Sequence, residues 1–165
     1  MRLVLDASVC LKWYLFDRAN EVHSDMARDL LSHAREGSVK LLQPAIWRAE
    51  IAAVLAREMP TRAGMLFRSV QGMQTDIVDD AVVMLRAIEL SVQTNHHLFD
   101  TIYHAVAIEH GIDLVTADEH YYHKAHKLGH IVLLHDWRAP REVREEPAIY
   151  RARARKSPAR VRRKR

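Results

Sequence analysis

Four short runs of largely apolar residues alternate with longer stretches of helical periodicity, and this alternation constrains the fold more than any other feature. The runs are residues 2–5, 39–42, 113–116 and 131–134. Each is too brief for a buried helix and reads as a strand; the first, with three apolar residues before Asp6, reads as central and covered on both faces, the habit of parallel sheets. Helices are expected over residues 9–16, 21–35, 45–59, 61–72, 81–92, 100–110 and 118–127. Asn20 is placed to cap the second of these and Gly37 to close it. Pro44 falls where a first helical turn accepts proline, and Asp79 or Asp80 can cap the helix at 81. Gly111 and Gly129 supply stops. Strands separated by helices form βαβ units, so the expected fold is α/β with a central parallel sheet.

The 165 residues suffice for one domain with a real core, and an apolar content of 48% beside 28% charge excludes a largely disordered chain. The net charge of +4 is unevenly spread. Residues 151–165 hold nine Lys or Arg and no acid, which leaves −5 for the first 150. We therefore expect a mildly acidic domain over 1–136 and an Arg-rich extension over 137–165. The single Cys10 excludes an internal disulfide framework and a cysteine zinc site. No signal peptide or membrane span is recognisable, and a soluble cytoplasmic protein is expected.

Four carboxylates occupy special positions. Asp6 ends the first strand, where open α/β sheets place their sites. Glu50 sits in an apolar helix stripe between Ile46, Trp47, Ala53 and Val54, so it must be paired or functional. Asp100 begins a helix, and Asp118 follows the third strand by two residues. Taken singly, Asp6, Asp100 and Asp118 are ordinary helix caps, and Glu50 could pair with Arg48 or Arg57. Taken together, all four can converge on one rim of a parallel sheet. Such a cluster repels itself unless a cation neutralises it, and an all-oxygen set suits Mg²⁺ or Mn²⁺. That chemistry serves metal-assisted phosphodiester hydrolysis.

Four segments carry a resemblance to a known family: Val4-Leu5-Asp6-Ala7-Ser8-Val9, Pro44 with Glu50 in its helix, Phe99-Asp100-Thr101-Ile102-Tyr103-His104-Ala105-Val106-Ala107, and Leu114-Val115-Thr116-Ala117-Asp118-Glu119. In this order they resemble the PIN domain, specifically the VapC toxin ribonucleases, over about residues 1–135. The resemblance implies a three-layer α/β/α sandwich and a Mg²⁺- or Mn²⁺-dependent endoribonuclease acting on RNA. It implies Asp6 and Asp100 as core metal ligands, Asp118 completing the metal shell, and Glu50 binding through water or orienting the attacking water. Ser8 and Thr116 match small hydroxyl positions that support the ligands. A homodimer and a cognate antitoxin are implied as well. Phe99 stands where the family often has Tyr. The alternative function is a noncatalytic PIN domain that binds RNA or a partner. An Asp-nucleophile phosphatase is disfavoured because Ser8 stands where a second Asp is needed.

Three further features stand outside that pattern. Among 11 histidines, His120, His123 and His126 recur at threes and read as a solvated helix face. His104, one turn beyond Asp100, is expected to be partly exposed; His96 and His97 also lie close to Asp100 in sequence. Trp13, Tyr14, Phe16 and Trp47 are expected in the core or at a dimer contact, with an antitoxin groove as the alternative. Arg151, Arg153, Arg155 and Lys156 open a tail suited to binding RNA phosphates nonspecifically.

Overall fold

The structure, a computed structural model, describes residues 1–15 and 22–139. Phe16, Asn20 and the extension from residue 140 onward, with Arg151, Arg153, Arg155 and Lys156, lie outside the described residues.

The chain runs β1 (Arg2–Leu5), α1 (Ala7–Leu11), α2 (Ser24–Glu36), β2 (Lys40–Pro44), α3 (Trp47–Glu58), α4 (Ala63–Gln71), β3 (Thr75–Val78), α5 (Ala81–Thr94), α6 (Leu98–Glu109), β4 (Asp113–Thr116), α7 (Glu119–Ala125), a 3-10 turn (His126–Leu128) and β5 (Ile131–Leu133). The five strands form one all-parallel sheet in the order β3-β2-β1-β4-β5, flanked by the helices as an α/β/α sandwich. From β1 the chain steps outward through β2 to β3, then crosses back to β4 on the other side of β1. Right-handed crossovers in opposite directions put helices on both faces. They also leave a switch point between β1 and β4, and open α/β sheets bind ligands at the carboxyl ends beside it.

β1 is the central strand, and Leu3, Val4 and Leu5 are at most 1% exposed. Its pairing with β2 covers Arg2 and Leu3, opposite Lys40 and Leu41. Further along, the buried side chain of Gln43 takes over the ladder. Its Oε1 accepts from the Leu5 N–H and its Nε2 donates to the Leu5 carbonyl, both at 3.0 Å. A side-chain amide thus imitates a backbone partner where the strands no longer pair directly.

α6 lies across β1, β2 and β4 and packs against α5. Every residue from Thr101 to Ala107 is buried. The Thr101 hydroxyl bonds the Ala87 carbonyl at 2.9 Å and fastens α6 to α5. Trp13 and Trp47 sit in the core, and Trp137, the first residue of the expected extension, packs there too.

Several local expectations need correction. Pro44 ends β2 and does not open a helix. It pairs with Val78 of β3, beyond the last β1–β2 backbone pair, where a missing N–H disturbs no central ladder. β3 itself was not expected as a strand. The first helix starts at Ala7, earlier than residue 9, because Asp6 caps it through the Ser8 N–H. Asp80 caps α5 by accepting from the Val83 N–H. Asp100 is not a cap: α6 begins at Leu98, so Asp100 lies in its first turn. His104 is fully buried, contrary to the expected partial exposure. His120, His123 and His126 are exposed.

Candidate active site

The strands deliver two carboxylates to the switch point. Asp6 follows β1 and Asp118 follows β4, and a short network joins them. The Asp6 N–H donates to the Val115 carbonyl, continuing the β1–β4 ladder by one residue. Asp6 Oδ1 accepts from the Ser8 N–H at 3.1 Å, and Oδ2 accepts from the Thr116 hydroxyl. The Thr116 oxygen in turn accepts the Asp118 N–H at 3.0 Å. Ser8 Oγ accepts from the Ala117 N–H at 3.2 Å, closing the ring. Asp118 caps α7 through the Tyr121 N–H at 2.9 Å. Asp6 is therefore at once the cap of α1 and a candidate site carboxylate.

The helices deliver the other two. α3 and α6 follow and precede strands so that their N-termini face the carboxyl edge of the sheet, and Glu50 and Asp100 both lie in first turns. That position sets them in the favourable end of each helix dipole. Glu50 pairs with neither arginine. Arg48 bonds Thr75 at 3.1 Å and lies over the Trp47 ring, and Arg57 pairs with Glu58. Instead the Tyr103 hydroxyl donates to Glu50 Oε2 at 2.7 Å. Asp100 is met by His96, whose Nε2 stands 3.1 Å from Asp100 Oδ2 and 3.8 Å from Asp118 Oδ2. The imidazole is nearly buried and makes no aligned hydrogen bond through that nitrogen. It leans on the Tyr121 ring, 4.7 Å between centroids.

Asp6, Glu50 and Asp100 each feel another of the four acids. Burial raises the Asp6 carboxyl above its ordinary value; the Thr116 and Ser8 donors oppose that, and Asp100 adds to it. Glu50 is raised first by burial, against the Tyr103 bond, and further by Asp6 and Asp100. Asp100 is raised by burial and by Asp118, with His96 pulling the other way. Burial, then the charge of Glu50, pushes the Tyr103 hydroxyl far up, so it stays a donor. Among the described residues, no three His, Cys, Asp or Glu side chains form a ready-made metal cage. Each carboxylate is drawn toward its own protein donor. The donor set nonetheless fits a hard cation: it is all-oxygen and self-repelling, and Mg²⁺ commonly needs only one or two carboxylates beside water and phosphate oxygens.

Two clefts flank the acids. One of about 310 Å³ is lined by Ile46, Ala49, Glu50 and Phe99. The other, about 420 Å³, is lined by Asn95, His96, His97, His120 and Lys124. Sequence reasoning assigned no role to Tyr103 or His96. The available signal was spacing alone: Tyr103 is one turn after Asp100, and His96 is four residues before it.

A parallel five-stranded sheet with acids at its switch point defines a class, and the comparisons name it. The family described as the PIN domain matches residues 3–127. The chain belongs to the PIN-domain family. A comparison with curated proteins found no match. Among solved structures, a chain of VapBC2 from Rickettsia felis, bound there to a DNA fragment from its promoter, superposes with a TM-score of 0.56 at 17% identity, covering 81% of this chain and 97% of that one. VapC20 from Mycobacterium tuberculosis, described as a Sarcin-Ricin loop cleaving toxin, gives 0.53 at 16%, covering 70% and 87%. FitAcB from Neisseria gonorrhoeae gives 0.55 at 16%, covering 79% and 95%. At these identities the likeness is one of fold.

Proposed function

We propose that this chain is a Mg²⁺- or Mn²⁺-dependent endoribonuclease, the toxin of a VapBC-type pair. The observation that carries this reading is the convergence of Asp6, Glu50, Asp100 and Asp118 at the β1–β4 switch point of a PIN fold, where Asp6, Glu50 and Asp100 are each raised in part by another of the four. Asp6, Asp100 and Asp118 would hold the metal, with Glu50 beside it. A bound divalent cation would supply Lewis acidity at the phosphate and screen the carboxylates.

The remaining work falls to the chain itself. Asp6 is held by Ser8 and Thr116 so that it does not turn away from the rim. Thr116 fixes Asp118 through its backbone, which sets the spacing between the two strand-end acids. Glu50, with one oxygen engaged by Tyr103, keeps the other to orient water for attack. Its raised proton affinity suits it to receive that water's proton.

An antitoxin partner is supported by the likeness of this chain to chains from VapBC2 and FitAcB. A homodimer is supported by α5, which exposes Val82, Leu85, Ile88 and Val92. No helix among the described residues is long and apolar enough to cross a membrane. A reducing cytoplasmic setting suits the buried free thiol of Cys10.

The test is cleavage of a mixed structured RNA pool in Mg²⁺, in Mn²⁺ and in EDTA, with Asp6→Asn and Asp100→Asn beside the wild type. Metal-dependent cuts absent from both variants are expected, a loss of about 10³-fold or more if several kcal/mol of charge stabilisation disappear. Cuts that survive both substitutions would overturn the assignment. The alternative is a noncatalytic PIN domain, and RNA binding without any cleavage would adopt it.

A further inference from the structure

Phe99 is 62% exposed, unusual for so large an apolar side chain, and it stands beside Asp100 at the start of α6. The residues around it are arranged by two helical faces. On α6, Phe99 and Tyr103 are four apart and share a face; on the entry to α3, Ile46 and Glu50 do the same. Tyr103 meets Glu50, and one turn nearer the helix ends Phe99 and Ile46 form the walls of the 310 Å³ cleft, with Ala49 as a third wall. Apart from Glu50 those walls are hydrocarbon. The cleft thus shares a wall with the acid site, and its volume is in the range of small-molecule pockets.

We propose that this cleft receives a nucleobase of the RNA substrate, stacked on Phe99, next to the phosphate held at the carboxylates; this rests on the nuclease reading above. Neither basic nor hydroxyl groups line the cleft, so it offers a phosphate nothing, and Glu50 would repel one. A base presents a flat, weakly polar face and is tethered by a single sugar to the phosphate at the neighbouring rim. Single-stranded RNA is commonly read this way, by bases splayed onto aromatic rings. Stacking tolerates any base, so Phe99 positions the strand more than it selects a sequence. Phe99 is thus a positioning residue for substrate.

Two measurements test this. The first uses single-stranded RNA oligonucleotides with 2-aminopurine placed at successive positions, added to the Asp6→Asn protein in Mg²⁺. We expect quenching at one position, retained with Phe99→Trp and lost with Phe99→Leu, with affinity falling about five- to 150-fold in the Leu variant. The second is cleavage by the otherwise wild-type protein. Phe99→Leu is expected to raise KM far more than it lowers kcat, and an abasic nucleotide at the quenched position should erase the difference between Leu and wild type. Cleavage by wild type with Phe99→Leu indistinguishable from it would overturn the stacking site alone. Quenching that depends on Phe99 without any cleavage would keep it and overturn the nuclease reading. Neither quenching nor cleavage would overturn both. A Phe99→Leu protein whose RNA behaviour is unchanged but whose mass by light scattering drops would assign the ring to a second copy of the chain instead.

Discussion

The two sides of the acid rim are built differently. On the strand side, Asp6 is 8% exposed and its oxygens are held by the Ser8 N–H at the start of α1 and the Thr116 hydroxyl of β4. On the helix side, the Asp100 side chain is 31% exposed, and Asp100 and Glu50 are each met by one long side chain, His96 or Tyr103. A carboxylate tied to backbone and a threonine hydroxyl has little freedom left to lose. A carboxylate met by one tyrosine or histidine can move by a rotamer at small cost. The contrast separates a strand side held by short, fixed donors from a helix side held by single long side chains, and each side can be broken separately.

The largest effect is expected at Gln43, which completes the strand side from beneath. Gln43→Leu leaves the Leu5 N–H and carbonyl buried without partners, at about 1–3 kcal/mol each. Chemical denaturation should show that loss, with reduced activity at temperatures where the fold survives, because Asp6 is the next residue. The matching change on the helix side, Glu50→Gln, should leave stability unchanged or raised. It keeps an acceptor for Tyr103 and removes a charge that burial disfavours. Equal destabilisation by the two would end the distinction.

A smaller effect separates the hydroxyls. Thr116→Val removes the donor to Asp6 and the acceptor for the Asp118 N–H together. Groups that orient metal ligands typically contribute about 10–100-fold to metal affinity, and a weakening of that order is expected in a Mn²⁺ titration followed by calorimetry. Tyr103→Phe removes only the Glu50 contact and should weaken Mn²⁺ binding less. A larger loss from Tyr103→Phe would place the origin of the site on the helices.

The same difference explains what was legible in the sequence. Asp6, Asp118, Ser8 and Thr116 lie at strand ends within a few residues of an apolar run, so their meeting point follows from topology once the strands are recognised. Glu50 was recognisable as an acid in an apolar stripe, but its partner lies 53 residues away, and two nearby arginines looked equally suitable. β3 escaped because it is an edge strand: in Thr75-Asp76-Ile77-Val78 only Val78 is buried, so no apolar run marks it. Pro44 was misplaced for a related reason, since a proline at the end of a strand and one at the start of a helix differ only in tertiary pairing. Phe99 was noted for a missing hydroxyl; its exposure and its cleft became visible only with α3 set beside it.

The smallest expected effect is the pH dependence contributed by His104, four residues beyond Asp100 in α6. Its Nε2 lies 2.7 Å from the Gly129 carbonyl and its Nδ1 2.9 Å from the Tyr121 hydroxyl. A carbonyl only accepts, so Nε2 carries a proton, and in the neutral ring that burial favours Nδ1 accepts the Tyr121 O–H. Burial lowers its proton affinity below the ordinary 6.5; the Gly129 bond opposes this, and nearby His130 adds to it. The unfolded chain therefore binds a proton that the folded chain resists. Stability from this group is fully present above about pH 6.5 and is lost as pH falls toward the folded value. The slope cannot exceed about 1.4 kcal/mol per pH unit for one proton. Asp6, Glu50 and Asp100 act in the opposite direction, because their raised values make the fold bind protons more tightly and lose stability as pH rises. Wild-type denaturation curves alone would mix the two. The difference between wild type and His104→Phe isolates the histidine: the variant should be less stable at pH 7.5, with Tyr121 and Gly129 unpaired, and the gap should narrow toward pH 5. A gap independent of pH would mean that His104 binds its proton equally well in the folded and unfolded chain, so that it contributes through packing and its two hydrogen bonds alone.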